Sequence, residues 1–314
     1  MNKTELTDRI RSKALDVGFN KVGIARADAV TSASLLQKWL TSGFHGTMNW
    51  MTNRFDERTD PRKFFPSAKS IVSVALNYNS PREIPSNKDI AKISRYAWGD
   101  DYHEIMKSKL RSLLDEIKSV STEANGICCV DTSPVMDKYW AVQAGIGWQG
   151  KHSNVITRDL GSWIFLGEVI LNIELDYDRP IEDFCGTCNK CIDACPTEAI
   201  TQPYVVDSNK CISYLTIEFR GEVFPKETAK SFDSWVYGCD ICQDVCPWNE
   251  KFSQTTTVSG FFPREENINT NIQSWNEITE DEFRIRFKNS PVKRTKYAGF
   301  MRNVKQVIAN LLKR

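Results

Sequence analysis

At 314 residues the chain is too long for a bare electron-carrying ferredoxin, and long enough for one large domain or two ordinary ones with a buried core. Its 41% apolar and 26% charged content is that of an ordinary globular protein, no apolar run approaches a membrane span, and Met1–Arg9 mixes both charges without the apolar core of a secretory signal, so a cytoplasmic location is expected. The net charge of +1 is uneven: ten of the 41 basic residues lie in Phe283–Arg314, which has no Asp or Glu, and the rest of the chain carries 31 basic against 40 acidic groups, a net −9.

Leu6, Ile10, Ala14, Leu15 and Val17 predict an opening helix that ends at Gly18, and Lys21–Ala25 a short strand. A helix is expected over Ser32–Leu40. A polar stretch and the Asp60-Pro61 turn lead to an apolar strand, Ser70–Leu76. Ile105, Met106, Leu110, Leu113, Leu114 and Ile117 recur at helical spacing. Ile127–Val130 then reads as a strand, Val135–Ala144 as a helix, and Ser162–Ile173 as one or two strands of the same sheet. The result is an α+β or α/β region over residues 1–178, followed by a cysteine-rich region over 179–262. A basic helical tail over 263–314 closes the chain, with Val304, Val307, Ile308, Leu311 and Leu312 as its apolar stripe. An acidic body with a basic tail suits a polyanion such as nucleic acid; the ordinary alternative is a solvated helix whose charge aids solubility.

Eight of the ten cysteines crowd between Cys185 and Cys246, a density that favours metal ligation over disulfides in a chain without a secretory signal. Cys185, Cys188, Cys191 and Cys195-Pro196 form C-x2-C-x2-C-x3-C-P, the bacterial ferredoxin run, whose fourth cysteine serves the other cluster in two-cluster proteins. A second set follows as Cys211, Cys239, Cys242 and Cys246-Pro247. By that crossover rule Cys185, Cys188, Cys191 and Cys246 hold one [4Fe–4S] cluster, and Cys195, Cys211, Cys239 and Cys242 the other. Paired C-x2-C zinc sites are the alternative. Cys128 and Cys129 lie in an apolar strand and read as core. Two adjacent clusters are one-electron carriers, so they call for a substrate or second cofactor that accepts electrons singly.

Gly145-Ile-Gly147-Trp-Gln-Gly150-Lys151 has G-x-G-x-x-G spacing but follows a helix rather than a strand, so it is a weak dinucleotide fingerprint. It reads instead as a tight loop that brings backbone amides and Lys151, His152, Ser153 and Asn154 to a phosphate or cofactor tail.

The stretches Arg95–His103, Val130–Val135, Ala144–Ser153, Gly161–Glu168, Cys211–Glu218 and Tyr237–Asn249 resemble the epoxyqueuosine reductases, collinearly from Gly43-Phe44-His45-Gly46 onward. The resemblance implies a cobalamin enzyme that reduces an epoxycyclopentane-diol to a cyclopentene-diol at the wobble position of tRNA, consuming two electrons and two protons and releasing water. It implies an N-terminal α/β cobalamin-binding domain (1–178), a ferredoxin-like two-cluster domain (179–262) and a partial helical-repeat tail that contacts tRNA (263–314). The partners it implies are tRNA carrying epoxyqueuosine and an external one-electron donor of the flavodoxin or ferredoxin type, with no membrane and a monomeric chain. Asp101-Tyr102-His103 leads to Glu104-Ile105-Met106 without the Gly of the familiar cobalamin signature, which argues against a histidine cobalt ligand.

The family's proton donor carries over to Asp131. At the end of an apolar strand its carboxyl is expected to be desolvated and its pKa raised toward neutrality; the ordinary reading is a cap for the helix near Pro134. Asp137 is a second candidate, expected on the helix surface. Arg54, Arg95, Tyr102 and His103 are candidate contacts to cobalamin or substrate, and Ser213 and Tyr214 are placed near the junction of cluster and corrin. Lys293, Arg294, Lys296 and Arg302 are candidate tRNA contacts. Two other readings stay open: a dehalogenase-type reductase of a small molecule, and an iron–sulfur electron-transfer subunit.

Overall fold

The computed structural model describes residues 1–313; Arg314, counted above in the basic tail, lies outside them. Helix α1 (Lys3–Asp16) starts at a capping box, in which the Asn2 side chain accepts from the Glu5 N–H and the Glu5 carboxylate accepts from the Asn2 N–H. It stops before Gly18, whose φ of +96° suits a residue without Cβ. The chain then runs through β1 (Lys21–Arg26), α2 (Ala33–Thr41), α3 (Phe55–Thr59), β2 (Ser70–Asn77), α4 (Tyr102–Val120), β3 (Gly126–Cys129), α5 (Asp137–Gln143) and β4 (Ile164–Leu171). The expected elements of this half are present within a few residues.

These strands form one sheet in the order β1-β2-β4-β3, and every pair is antiparallel. The α/β expectation for residues 1–178 is therefore corrected to α+β. Each strand in the sheet lies against a neighbour of opposite direction, so no parallel βαβ crossover forms between adjacent strands. The central strands are covered on both faces, so every residue of β2 is buried, including the polar Ser70, Ser73 and Asn77. Ile10, Met106, Leu110 and Leu113 of α1 and α4 pack on Val72, Val74 and Val169. Trp140 and Ala141 of α5 pack on the opposite face with Ile71, Ala75 and Ile170.

The second core does not follow the boundaries at 178 and 262. Lys92–Ile93 pairs in parallel with Trp235–Tyr237, and Ile93 and Trp98 share one apolar cluster with Ile212, Phe232, Trp275, Phe287, Phe300 and Val304. Helix α6 (Ile212–Ile217) and helix α7 (Lys296–Leu311) close this core. Arg302 of α7 donates to the backbone oxygens of Leu215, Phe219 and Gly221, and Asn303 donates to those of Thr216 and Val236.

A buried amide network joins the cysteine region to the sheet. The Asn249 Oδ1 accepts from the Ser162 N–H at 2.6 Å, while its Nδ2 donates to Ser162 Oγ (2.9 Å) and the Gln243 carbonyl (2.8 Å). Gln243 Nε2 in turn donates to Ser162 O (3.1 Å) and Oγ (2.9 Å). Gly161 precedes this junction at φ +67°, and a Cβ there would strike the Asn249 side chain. Among the described residues no helix is long and apolar enough to cross a membrane.

Candidate functional site

Asp101 caps α4 by accepting from the His103 N–H, which turns the first helical residues, Tyr102 and His103, toward the loop after β3. In that loop Asp131 takes a left-handed conformation, φ +45°, and its carboxylate meets both side chains. The Tyr102 hydroxyl donates to Asp131 Oδ2 at 2.8 Å, and His103 Nε2 lies 3.3 Å from the same oxygen. On its other side His103 Nδ1 is 2.7 Å from Asp101 Oδ1. The Tyr102 ring is stacked between Phe165 (4.2 Å) and His103 (4.1 Å), so the whole Asp101–His103–Asp131 chain is held by packing.

The protonation pattern reverses the expectation for Asp131. Its enclosure by the site raises the pKa, but the hydrogen bonds from His103 and Tyr102 outweigh that and leave it below the ordinary carboxylate range. Its side chain remains 57% exposed. The proton sits next door: burial would lower His103, yet its bonds to Asp101 and Asp131 prevail and push it up to about 9. A histidine raised in the fold stabilises it fully below its unfolded value of about 6.5, and that contribution fades as pH rises through 9. We expect the His103 imidazole resonances, assigned with H103Q, to titrate with a midpoint near 9; a midpoint at the ordinary value would show that the two carboxylates do not hold the proton.

Asp137, expected on the helix surface, points inward instead. Burial, then the charge of Asp131, push it up to about 7, and its carboxyl meets that of Glu168. Glu168 was not among the sequence candidates, although a lone acid inside the apolar run Trp163–Leu171 was its signal. Lys138 was also missed. Its ammonium donates to Asn154 Oδ1 at 2.9 Å, and the two residues line a cleft with Tyr78, Val155, Ser162, Ile164, Leu166 and Gln243. Lys138 interacts electrostatically with Asp137 and Asp131 on one side and with the thiols of Cys242 and Cys211 on the other. The lining thus includes Lys138, and Gln243, which is next in sequence to Cys242.

The remaining candidates divide. Of the loop residues, Asn154 lines this cleft. Lys151 is buried and donates to the Gly186 carbonyl and Asn189 Oδ1, so it braces the first cysteine loop rather than reaching for a phosphate. Ser153 donates to the Tyr204 carbonyl. His152 is buried with Nε2 unpartnered among the described residues, and burial, with Lys138 nearby, lowers it to about 4. The Arg95 guanidinium donates to Asp244 Oδ1 and the Arg82 carbonyl and lies over Trp98 and Trp163, which ties it to the cysteine region. Arg54 pairs with Glu57 at the surface. The Tyr214 hydroxyl is engaged by the Thr47 N–H (2.6 Å) and hydroxyl (2.8 Å). Arg302 is taken out of the tRNA set by its three backbone acceptors, which already occupy its guanidinium donors. Arg294 forms a bidentate pair with Glu218, and Lys293 and Lys296 are exposed.

The eight cysteines are free thiols, and Cys246 of the second set packs in one buried cluster with Cys185 of the first. Cys191 is raised to about 11 by burial and by the facing Cys246, Cys185 and Cys188. Cys239 and Cys242 are raised by burial, by one another or by Cys211, and Cys195 also acts on Cys211 and Cys242. Cys211 and Cys246 cap the helices Ile212–Ile217 and Pro247–Phe252. Neither sulfur makes a side-chain cap hydrogen bond, but the backbone N–H groups of Ser213 and Tyr214, and of Trp248 and Asn249, act on them in the direction that favours the thiolate an iron–sulfur cluster requires. Ser213 and Tyr214 therefore act through their backbone on a cluster ligand.

The cleft's apolar wall of Val155, Ile164 and Leu166, beside the amides of Asn154 and Gln243, matches the apolar, amide-edged rim of cobalamin, and its space of about 280 Å³ takes an edge of that group rather than the whole. Both ring nitrogens of His103 are engaged by carboxylates, so it is not a free cobalt ligand.

The comparisons with known proteins agree with this geometry. Residues 184–249 match a family model for a 4Fe-4S double cluster binding domain, and residues 58–132 one for epoxyqueuosine reductase QueG, DUF1730. An epoxyqueuosine reductase of Cellulophaga algicola is 47% identical over 303 residues, 96% of this chain and 98% of its own. One of Leadbetterella byssophila is 48% identical over 301 residues, 96% and 97% respectively. A crystal structure of an epoxyqueuosine reductase with an epoxyqueuosine-modified tRNA stem loop superposes with a TM-score of 0.91 at 32% identity, over 98% of this chain and 82% of that one. A Bacillus subtilis enzyme, solved with its catalytic aspartate loop swung out of the active site, superposes at 0.90 with 31% identity over the same shares. With near-complete coverage in sequence and in fold, and with the paired cysteine sets and the acid–base cleft in one molecule, the chain belongs to the epoxyqueuosine reductase family.

Proposed function

We infer that the protein reduces epoxyqueuosine to queuosine at the wobble position of tRNA, in a cobalamin site formed mainly by residues 1–178 with Gln243 at its edge, fed by two [4Fe–4S] clusters in residues 179–262. The observation that carries this reading is the superposition on an epoxyqueuosine reductase solved with an epoxyqueuosine-modified tRNA stem loop, with a TM-score of 0.91 over 98% of this chain. Tyr78, Lys138, Asn154, Ser162 and Gln243 would hold the corrinoid, and Cys185, Cys188, Cys191 and Cys246, with Cys195, Cys211, Cys239 and Cys242, the clusters. When bound, these groups supply single electrons and a cobalt centre for the two-electron opening and deoxygenation of the epoxide.

The chain's own residues manage protons. His103 carries one at neutral pH and is bonded to the exposed Asp131 carboxylate, which takes that proton and presents it in the cleft. Asp131 is thus the proton-transferring group and His103 its supply, while Tyr102 fixes the carboxylate from the other side. Asp101 orients the imidazole. Anaerobic protein loaded with iron, sulfide and cobalamin should convert epoxyqueuosine in tRNA to queuosine with a reduced flavodoxin or ferredoxin as donor. Corrinoid-loaded protein that leaves the epoxide intact would defeat this reading.

Lys293 and Lys296, which are exposed, support a tRNA contact within residues 263–314. Replacing either by Glu should weaken tRNA binding and flatten the logarithmic salt dependence by about 1 for each phosphate that is no longer neutralised. A slope equal to that of the wild type in a binding titration would exclude the contact.

A further inference from the structure

Glu168 lies in mid-strand in β4, fully buried, opposite Ser73 of β2 and Cys129 of β3. Among the described residues its side-chain donor is the Ser73 hydroxyl, 3.5 Å from Oε1. Oε2 has no partner of its own there, and neither does Oδ1 of Asp137, whose side chain meets Glu168 from the start of α5. Two carboxyl groups that meet with no donor but that distant hydroxyl are held by one shared proton, since two ionised oxygens would repel strongly away from water. Three further charged groups face the pair: Asp131 from the loop after β3, Arg58 from α3 and Lys138 from α5. The Cys129 thiol completes the ring. Arg58 is buried with its Nε unpartnered among the described residues. An acid at the centre of a sheet adds nothing to packing that an apolar residue would not supply.

The reaction inferred above consumes two protons, whereas His103 holds one and Asp131 none. We propose that the Asp137–Glu168 pair is the second proton source of the reaction, a buried relay that passes its shared proton to the Asp131 carboxylate. The proposal rests on the reductase reading. In the step an O–H bond on the pair breaks, one forms on Asp131, and no electrons move. The pair passes from one proton to none, and the cations Arg58 and Lys138 offset the added charge until water in the cleft returns the proton. Asp137 and Glu168 act through Asp131 and touch neither substrate nor corrinoid. The charge of Asp131 in turn raises both acids, so the relay empties only when Asp131 is itself about to be neutralised.

Two measurements on the holoenzyme test this. Burial and the charge of Asp131 raise both acids well above the ordinary carboxylate range, so the pair keeps its proton at neutral pH and empties as pH rises further. Turnover of the wild type should then fall along an alkaline limb. In Glu168→Gln and Asp137→Asn that limb should vanish, with turnover at lower pH reduced roughly tenfold or more and the KM for tRNA unchanged. An unchanged limb in both variants would overturn the relay. Infrared difference spectra of the wild type with carbon-13-labelled Glu and Asp should show one buried protonated carboxyl at neutral pH that disappears along that alkaline limb, and its absence would equally overturn the proposal. The infrared measurement needs no turnover, so it decides the pair even where the wild type fails on tRNA, an outcome that would instead defeat the reductase reading.

Discussion

Asp131→Asn lowers turnover on epoxyqueuosine-containing tRNA by about 10²- to 10⁴-fold, the range that a positioned acid or base supplies, while iron and cobalamin content stay at the wild-type level. Asparagine keeps the size of the side chain and still accepts from Tyr102, so the stacked Tyr102–Phe165 wall should stand. What disappears is the charge. His103 then keeps only Asp101 as a carboxylate partner, and its pKa falls from about 9, because one of the two bonds that raise it is gone. The cleft also loses the exposed carboxylate to which the imidazolium is bonded. Single-turnover assays beside iron and cobalt analysis separate these effects. Wild-type turnover in a fully loaded variant would remove Asp131 from the reaction, and loss of cobalamin alone would reassign it to binding.

Cys246→Ser removes the cluster of the first cysteine run rather than its own, so iron falls from about eight to about four atoms per chain and turnover is abolished. The reason is local. Cys246 ends the second motif, but its side chain packs in one buried cluster with Cys185 of the first. The pairing is readable by electron paramagnetic resonance of the reduced protein: Cys246→Ser and Cys185→Ser should leave the same surviving signal, and Cys195→Ser the signal left by Cys239→Ser. A Cys246→Ser spectrum that matches that of Cys239→Ser would mean each motif keeps its own four ligands.

The sequence carried the cysteine sets and the principal elements, because both are local: short fixed spacings define cluster ligands, and periodicity defines α1, α4 and β2. It also carried Asp131 as a site, through resemblance. Its protonation state was out of reach, because the two groups that lower it, Tyr102 and His103, stand 29 and 28 residues away in the chain. Asp137 was misplaced for a similar reason. Helical spacing alone cannot tell which neighbour covers a helix start, and the partner Glu168 comes from β4, 31 residues on by number. Arg302 shows the opposite failure: as a cation in an acid-free tail it reads as a polyanion contact, but its acceptors are backbone oxygens more than 80 residues earlier. The antiparallel sheet was hidden because strand direction is a property of pairing, not of any one strand.

The way α7 closes the second core bears on how the basic tail is studied. Phe300 and Val304 are fully buried beside Trp235–Tyr237, and Arg302 and Asn303 bond the backbone of residues that flank the ligands Cys211 and Cys239. The tail is thus no detachable appendage. Deletion mapping from the C-terminus would expose an apolar core and release cluster ligands before it reported on RNA, and a truncated fragment that failed to bind would be recording its own unfolding. Only exchanges at the surface, of single charges on an intact chain, address the nucleic acid.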